Sequence, residues 1–203
     1  MTTVDADGCS RLQLVALPHL PPALFTLSHL QILKLELITD ASVGVLRGLE
    51  LLDLSNNHLQ TLPPALFTLL RLRRLLLACN LLEKLPAEIK ALQLLAELDL
   101  SGNRLESLPP ELFSRCLELR TLNVAHNSLS ALPSGISILN QLCRLDLRSN
   151  SLEELPVELG CCSGLRGGGL LVEDWLFLSL PSHVRAFLIF CQTSLFINIF
   201  GIL

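Results

Sequence analysis

The sequence predicts an α/β repeat solenoid: a horseshoe with a parallel sheet on its concave face and short helical or 3-10 turns on its convex face. One observation is a frame, L-x-x-L-x-L-x-x-N-x-L-x-x-L-P, that recurs five times. The other is the spacing of 23 or 24 residues between the asparagines of these frames, Asn57, Asn80, Asn103, Asn127 and Asn150. A unit of this length supplies one short strand and one turn and cannot bury its own apolar face, so successive units must stack.

Each position of the frame has a physical role. In the L-x-L segment the side chains alternate, so the two leucines point into the stack and the flanking residues point to solvent. The asparagine follows the strand, where its amide donates and accepts hydrogen bonds and closes the turn. The Leu-Pro pair fixes φ and removes a backbone donor, which favours an extended or turn segment over a long helix. This frame and this period are typical of the leucine-rich repeat.

The frame also divides the chain. We predict a disordered N-terminal segment at 1–11, truncated and degenerate repeats at 12–48, five regular leucine-rich repeats at 49–164, a C-terminal cap at 165–185 and an apolar tail at 186–203. In the degenerate part, Ile38 stands where an asparagine is expected, and residues 40–47 replace the usual limb, which predicts an irregular turn. Because no polar cap precedes the first repeat, the N-terminus is interpreted as a cut into a longer solenoid.

Composition and charge argue against several function classes. The formal net charge is −4 and the isoelectric point is about 5.7, whereas nucleic-acid-binding domains usually carry a basic stripe and a pI above about 9. We therefore expect no nucleic-acid partner. The N-terminus lacks the apolar run of a secretory signal, and the chain has no Asn-x-Ser/Thr acceptor. A reducing cytosol is the expected compartment.

No catalytic, metal or cofactor site is predicted. The adjacent thiols of Cys161 and Cys162 have no second pair at metal-ligand spacing, so we expect them to be unreactive. The five histidines fall in separate repeats, and His126, beside Asn127, is interpreted as a turn residue. The glycine run at 167–169 opens a predicted strand, which is the wrong context for a phosphate-binding loop. The chain is therefore predicted to be non-catalytic.

Function is then expected on the open face of the sheet, because the concave surface of a solenoid is its usual binding face. A row of carboxylates, Asp53, Asp99 and Asp146, would favour a basic peptide or helix by electrostatic complementarity. The alternative is that these are ordinary solvated strand residues without a partner. The candidate partner-binding residues on this face are Asp53, Arg74, Leu76, Glu97, Asp99, Asn123, Arg144, Asp146 and Arg148.

The end of the chain carries a narrower signal than the repeats. Three segments occur in order: LPVELG at 155–160, GLLVED at 169–174 and LPSHVR at 180–185. This ending resembles that of the leucine-rich-repeat subunits of volume-regulated anion channels, which close with L-P-x-E-L-G, G-L-x-V-E-x and L-P-x-x-V-[RK]. The resemblance covers residues 12–185 and includes nothing similar to a pore.

The resemblance implies a regulatory cytoplasmic repeat domain on the inner side of the plasma membrane. In that family the subunits form hexamers and pass chloride and small organic osmolytes, so other channel subunits of the family are implied partners. A free intracellular adaptor that scaffolds small-GTPase or phosphatase signalling is the alternative. A repeat arm of a larger enzyme, such as a ubiquitin ligase, is a further one.

The tail departs from that family, whose members end in a short charged or polar segment. Residues 186–203, from Ala186 to Leu203, contain no charged side chain. Their length lies near the lower limit for a membrane span, for which about 20 residues are needed. Three interpretations stay open: an aberrant terminus that packs loosely, a C-terminal membrane anchor, and a helix buried against the last repeat.

Overall fold

A computed structural model describes residues 2–4, 10–15, 30–36, 48–165 and 167–189, the first three ranges and Ala65 through their backbone alone. Nine strands form one sheet in chain order. The first pair is antiparallel and every later pair is parallel. The strands are β1 (Thr2–Val4), β2 (Ser10–Val15), β3 (Leu30–Glu36), β4 (Leu51–Asp53), β5 (Arg74–Leu76), β6 (Glu97–Asp99), β7 (Thr121–Asn123), β8 (Arg144–Asp146) and β9 (Leu170–Leu171).

The register of the sheet confirms the predicted repeat. The middle residue of each regular strand is fully buried and lies beside its counterpart in the next repeat, while the residues on either side of it point outward. One leucine column therefore runs through the core, and each buried leucine contributes roughly 2 kcal/mol by leaving water. The column consists of Leu52, Leu75, Leu98, Leu122 and Leu145.

Short helices form the convex side, as the Leu-Pro pairs predict. Each proline lies in the extended region just before a helix, with φ between −61° and −71°. Its carbonyl accepts the first hydrogen bond of the turn; for example, the Ile89 N–H donates to Pro86 over 3.1 Å. Four of the five segments are 3-10 helices: Pro64–Thr68, Ala87–Ala91, Ser134–Ile138 and Val157–Cys161.

The fifth segment, α1 (Pro110–Arg115), is an α-helix, and the spacing of the asparagines explains it. The repeat between Asn103 and Asn127 has 24 residues instead of 23. The extra residue is absorbed by a wider turn, because the Cys116 N–H bonds to the carbonyl four residues back, at Leu112, over 3.2 Å. In the preceding repeat the equivalent bond reaches back only three residues. The local helix type thus follows repeat length.

The C-terminal cap begins with the glycine turn before β9 and continues into α2 (Asp174–Ser179) and α3 (Ser182–Ile189). Leu176, Leu180, Val184 and Leu188 bury their side chains against the last repeat. The helix α3 crosses the boundary between the predicted cap and tail. Leu188 also accepts a hydrogen bond from the Gly167 N–H over 3.2 Å. The first residues of the uncharged segment are therefore part of the folded cap.

The N-terminal segment differs from the prediction. Residues 1–11 were expected to be disordered, but Thr2–Val4 pairs antiparallel with the start of β2, Thr2 opposite Leu12. The reason is that a parallel stack leaves an open edge whose backbone groups need partners. The run Thr-Thr-Val has the β-branched residues that suit a strand.

Two other predictions fall outside the described residues: the irregular turn at 40–47, and the tail from residue 190 onward. Among the residues that the structure does describe, no helix has both the length and the apolar character needed to cross a bilayer.

Candidate functional site

The asparagines form a ladder that joins neighbouring repeats. In Asn103, Nδ2 donates to Leu100 of its own repeat and to Leu77 of the preceding one, both over 2.9 Å. Its Oδ1 accepts the N–H of Leu82 over 3.0 Å. Asn80, Asn127 and Asn150 repeat this pattern. The predicted turn closure is thus confirmed, and the same amide also fastens each coil to the one before it.

The residue before each asparagine adopts a left-handed conformation that sequence reasoning missed. These residues have φ between 55° and 65°, a region that glycine and asparagine tolerate best. They are Asn56, Cys79, Gly102, His126 and Ser149. His126 is therefore a turn residue, as predicted. The only sequence signal was that a glycine and an asparagine occur at two of the five positions.

We expect Gly102→Ala to lower the free energy of unfolding by about 1 kcal/mol, because a side chain there would have a strained φ of 65°. The added Cβ would also lie 3.3 Å from Cys79 Sγ. Ser149→Gly is the matched control, since it relieves a φ of 57° at the equivalent position and is expected to leave stability unchanged or higher. Urea denaturation followed by circular dichroism measures both. Equal effects of the two substitutions would contradict this account.

The structure brings the candidate partner-binding residues onto one face. The register places Arg74, Glu97, Thr121 and Arg144 in a first outward row. Two residues further on, a second row follows: Asp53, Leu76, Asp99, Asn123 and Asp146. Arg148 lies beyond this row, and its guanidinium bonds to Asp146. The described candidates therefore share a surface.

The carboxylates of the second row already have a structural role. Asp99 Oδ1 accepts the Ser101 N–H over 2.9 Å and its hydroxyl over 2.7 Å. Asp53 and Asn123 accept the N–H two residues ahead in the same way, over 3.0 and 3.2 Å. These are side-chain caps of the turn that leaves the strand. They account for the row of carboxylates without a bound partner.

Asp146 is the most constrained member of this row. Asp146 is 5% exposed. Arg148 donates to its carboxylate from Nε to Oδ1 over 2.9 Å and from Nη2 to Oδ2 over 2.5 Å. Burial by itself raises the pKa of Asp146, but hydrogen bonds from the side chain and backbone of Arg148 lower it. The positive charges of Arg148 and Arg144 act in the same direction, so the net result is a pKa below the ordinary value.

This shift predicts how stability depends on pH. A carboxyl with a depressed folded-state pKa stabilises the fold above its unfolded pKa of 3.8 and loses that contribution as the pH falls through the lower folded pKa. Asp146→Asn should therefore be less stable than the parent at pH 6, and the difference should shrink below about pH 4. Urea denaturation across this range measures it. In an Arg148→Gln background the pH dependence of the difference should become smaller but not vanish, because the backbone N–H of residue 148 and the charge of Arg144 remain. An unchanged slope would contradict the role of the Arg148 side chain.

In the first row, one of the two arginines is paired within the protein. Arg74 Nε and Glu97 Oε2 form an ion pair over 2.5 Å, with both side chains partly exposed. Thr121 is half-buried and Arg144 is exposed. Leu76 is the apolar member of the second row and is half-buried between Asp53 and Asp99. The face thus presents an apolar side chain, Leu76, and a basic one, Arg144, among carboxylates that are hydrogen-bonded within the protein.

The five cysteines among the described residues are divided between the core, with Cys116 and Cys162, and the surface, with Cys79, Cys143 and Cys161. Burial raises the pKa of Cys116 to about 11. For Cys162, burial and then the neighbouring Cys161 raise the pKa to about 11. Both thiols replace leucines of other repeats and contact a backbone carbonyl, at Ile89 and Ile136. These two are poor nucleophiles at neutral pH. In the described part of the chain, no group of histidines, cysteines or carboxylates is arranged to hold a metal ion.

This geometry agrees with comparisons to known proteins. The sequence model of the leucine rich repeat matches residues 47–105, 70–129 and 93–152, which together cover more than half of the chain. The chain belongs to the leucine-rich-repeat family. None of the curated proteins compared with it matches.

Three of the solved structures similar to the chain come from a bacterium and from plants. A leucine-rich-repeat protein of Leptospira interrogans superposes with a TM-score of 0.71 at 32% identity, over 80% of this chain and 43% of that one. The plant peptide hormone receptor RGFR1, solved in complex with RGF2, gives 0.66 at 28% identity, over 84% of this chain and 28% of that one. The ectodomain of the receptor kinase GASSHO1 from Arabidopsis thaliana, in complex with CASPARIAN STRIP INTEGRITY FACTOR 2, gives 0.65 at 32%, over 76% and 19%. The chain spans less than half the length of each.

Proposed function

We propose that this chain is a non-catalytic protein-interaction domain that holds an extended segment of a partner protein across its concave face. The observation that carries the proposal is the parallel sheet, whose register aligns two rows of outward side chains along six consecutive strands. A solenoid of this kind offers an extended and rigid concave surface. Support also comes from the two plant receptors, which have the same repeat fold and are solved with bound factors.

The chemistry of the face indicates how a segment would be held. The caps at Asp53 and Asp99 are committed to backbone donors, so they present negative charge without needing to move. Leu76 lies between them and supplies apolar contact. Arg144 at the other end is exposed and can bond to a carboxylate or carbonyl of the partner. We therefore expect a mixed segment, with a basic residue near Asp53 and Asp99 and an acidic one near Arg144.

We further propose that the partners include subunits of a volume-regulated anion channel and that the chain acts on the cytoplasmic side of the membrane. Of the closing segments that resemble this family, 155–160 lies in the last repeat and 169–174 and 180–185 lie in the cap that packs on it. Gly160 packs against Val184, and Glu173 Oε1 accepts the Ser149 N–H over 2.6 Å. Pro181 accepts hydrogen bonds from Val184 and Arg185 over 3.0 Å. The resemblance therefore extends over one structural unit.

Co-expression with a pore-bearing channel subunit tests the proposal. The full chain should co-purify with the subunit and change the swelling-activated current. Leu76→Arg combined with Thr121→Arg should abolish both effects, because two bulky charges would block the two rows. Glu153→Arg, an exposed change outside the concave face, is the control and should leave both intact. Equal binding by the double variant would remove the concave face from the proposal.

The same experiment separates the alternative function. If the chain does not co-purify with channel subunits but binds small GTPases or phosphatase subunits through the same two rows, it is a free signalling adaptor. The short Leu-Pro repeats are compatible with that class, whereas the closing segments favour the channel family.

A further inference from the structure

Exposed aliphatic side chains occur at the turns that connect the convex helices to the strands. Four consecutive repeats each leave one large aliphatic residue accessible there, with exposed fractions of 39% to 59%. These residues are Leu70, Leu94, Leu117 and Ile138. We call the four turns, residues 68–74, 91–97, 115–121 and 138–144, the ascending rim. Each exposed residue adjoins a fully buried leucine or cysteine, so the core requirement of the repeat is already met without it.

Backbone hydrogen bonds hold the four turns in register. The Ala96 N–H donates to Arg73 over 2.7 Å, Arg120 to Ala96 over 2.8 Å, and Cys143 to Arg120 over 2.9 Å. The turns therefore repeat at about the strand spacing of 4.8 Å. The exposed aliphatic residues therefore lie on adjacent turns, at nearby but not identical positions: Leu70 and Leu117 lie about ten residues before the asparagine of their repeat, Leu94 about nine and Ile138 about twelve.

The ascending rim also differs in charge from the rest of the protein. It contains six arginines and two glutamates, a formal net charge of +4 in a chain whose total is −4. One arginine, Arg74, pairs with Glu97. Within the described residues no ion pair engages the others. The remaining arginines are Arg71, Arg73, Arg115, Arg120 and Arg144, and all of them are exposed.

We propose that the ascending rim binds an amphipathic helix with acidic flanks from a partner protein. An α-helix rises about 5.4 Å per turn, close to the spacing of the repeats, so a helix along the rim can bring one apolar residue per turn to each of the four turns, where an aliphatic side chain is exposed. Glutamates beside that stripe would meet the arginines, and electrostatic complementarity would set the orientation and speed association. The ascending rim borders the concave face and shares Arg74, Glu97, Thr121 and Arg144 with its first row, but its exposed aliphatic residues lie outside both rows, so the proposal does not depend on the function proposed for those rows.

Other occupants fit the rim less well. An extended strand repeats its side chains on one face about every 6.8 Å, twice the strand rise, and would lose register over four repeats. A bilayer would need a broad apolar surface. The rim exposes one large aliphatic side chain per turn, and the charged Glu118 follows Leu117 in the sequence. The charge of the rim still attracts anionic lipid, so the experiment must separate the two.

Fluorescence anisotropy of a labelled peptide tests the proposal on the full chain. The probe is a helical peptide of about five turns, with leucine at positions i, i+4, i+7 and i+11 and glutamate on both sides of the leucine stripe. We expect saturable binding that weakens with salt. Leu70→Ser combined with Leu117→Ser should weaken it at least about tenfold, as should Arg73→Glu combined with Arg120→Glu.

Matched controls and competing outcomes complete the design. Val157→Ser removes an exposed aliphatic side chain outside the rim, and Arg104→Glu reverses an exposed charge on the opposite side of the strands; neither should change binding. A peptide with the same composition but a scrambled stripe should bind at least about tenfold more weakly. Co-sedimentation with phosphatidylserine vesicles in place of peptide binding would assign the rim to a membrane surface. Absence of peptide binding, or equal loss in the control variants, would also overturn the proposal.

Discussion

Asn103→Ala is expected to lower the free energy of unfolding by about 3 kcal/mol, one of the two largest effects that the structure predicts. Asn103 is 8% exposed and makes four hydrogen bonds, to Leu82, Leu77, Leu100 and Ser101. Alanine would leave the buried Leu82 N–H without its acceptor, and such a group costs about 1–3 kcal/mol if water cannot reach it. The carbonyls of Leu77 and Leu100 would each lose one of two amide donors and keep the bond from Asn80 or Asn127. Urea denaturation followed by far-ultraviolet circular dichroism measures the change.

Two further substitutions sharpen this prediction. Asn123→Ala is the matched control, because that side chain is half-buried and accepts one bond, from the Ala125 N–H over 3.2 Å; a loss of about 1 kcal/mol or less is expected. Asn103→Asp keeps the acceptor for Leu82 but directs a carboxylate at two carbonyls, so it should destabilise at least as much as alanine at pH 7. If Asn103→Ala and Asn123→Ala lowered the free energy of unfolding equally, the hydrogen bonds of the asparagine ladder would not be what stabilises the contact between successive coils.

The sequence predicted the features that depend on alternation and spacing. Leu52, Leu75 and Leu98 are buried in one column because the L-x-L pattern has the period of a strand. The asparagines close turns because their amide has two N–H donors and a carbonyl acceptor in one side chain. Even the switch from a 3-10 helix to α1 follows from one extra residue in the spacing.

The features that sequence reasoning missed depend on backbone conformation. The residue type of Asp99 does not reveal that its carboxylate accepts the Ser101 N–H. An aspartate at this position is equally compatible with a row of carboxylates that binds a partner. The left-handed position is filled by five different residue types, so no composition signal marks it. Leu94 and Leu95 are adjacent and chemically identical, yet one is exposed and the other fully buried. The frame that contains Asn103 already assigns Leu95 to the core, but the exposure of Leu94 could be established only from the coordinates.

The second large effect is expected at the joint between the last repeat and the cap. Gly169→Ala would place a Cβ 2.1 Å from the carbonyl oxygen of Cys143, a backbone atom that cannot rotate away. The strands β8 and β9 would have to separate, which removes the hydrogen bond from the Leu145 N–H to Gly169, now 2.7 Å. We expect the free energy of opening at the Leu145 amide to fall by on the order of 3 kcal/mol. Native-state hydrogen exchange measures it.

The pattern of protection distinguishes this mechanism from general destabilisation. Each coil contacts only its neighbours, so the amides of Leu145 and Leu147 should lose protection while that of Leu77, bonded to Asp99 over 2.7 Å, keeps most of its own. Gly135→Ala is the control, because its Cβ would meet only Phe113 at 3.5 Å. That change should leave stability the same or raise it by about 0.5 kcal/mol. Uniform loss of protection along the sheet after Gly169→Ala would show that the cap and the repeats unfold as one unit, and the close approach at Gly169 would then support the whole stack.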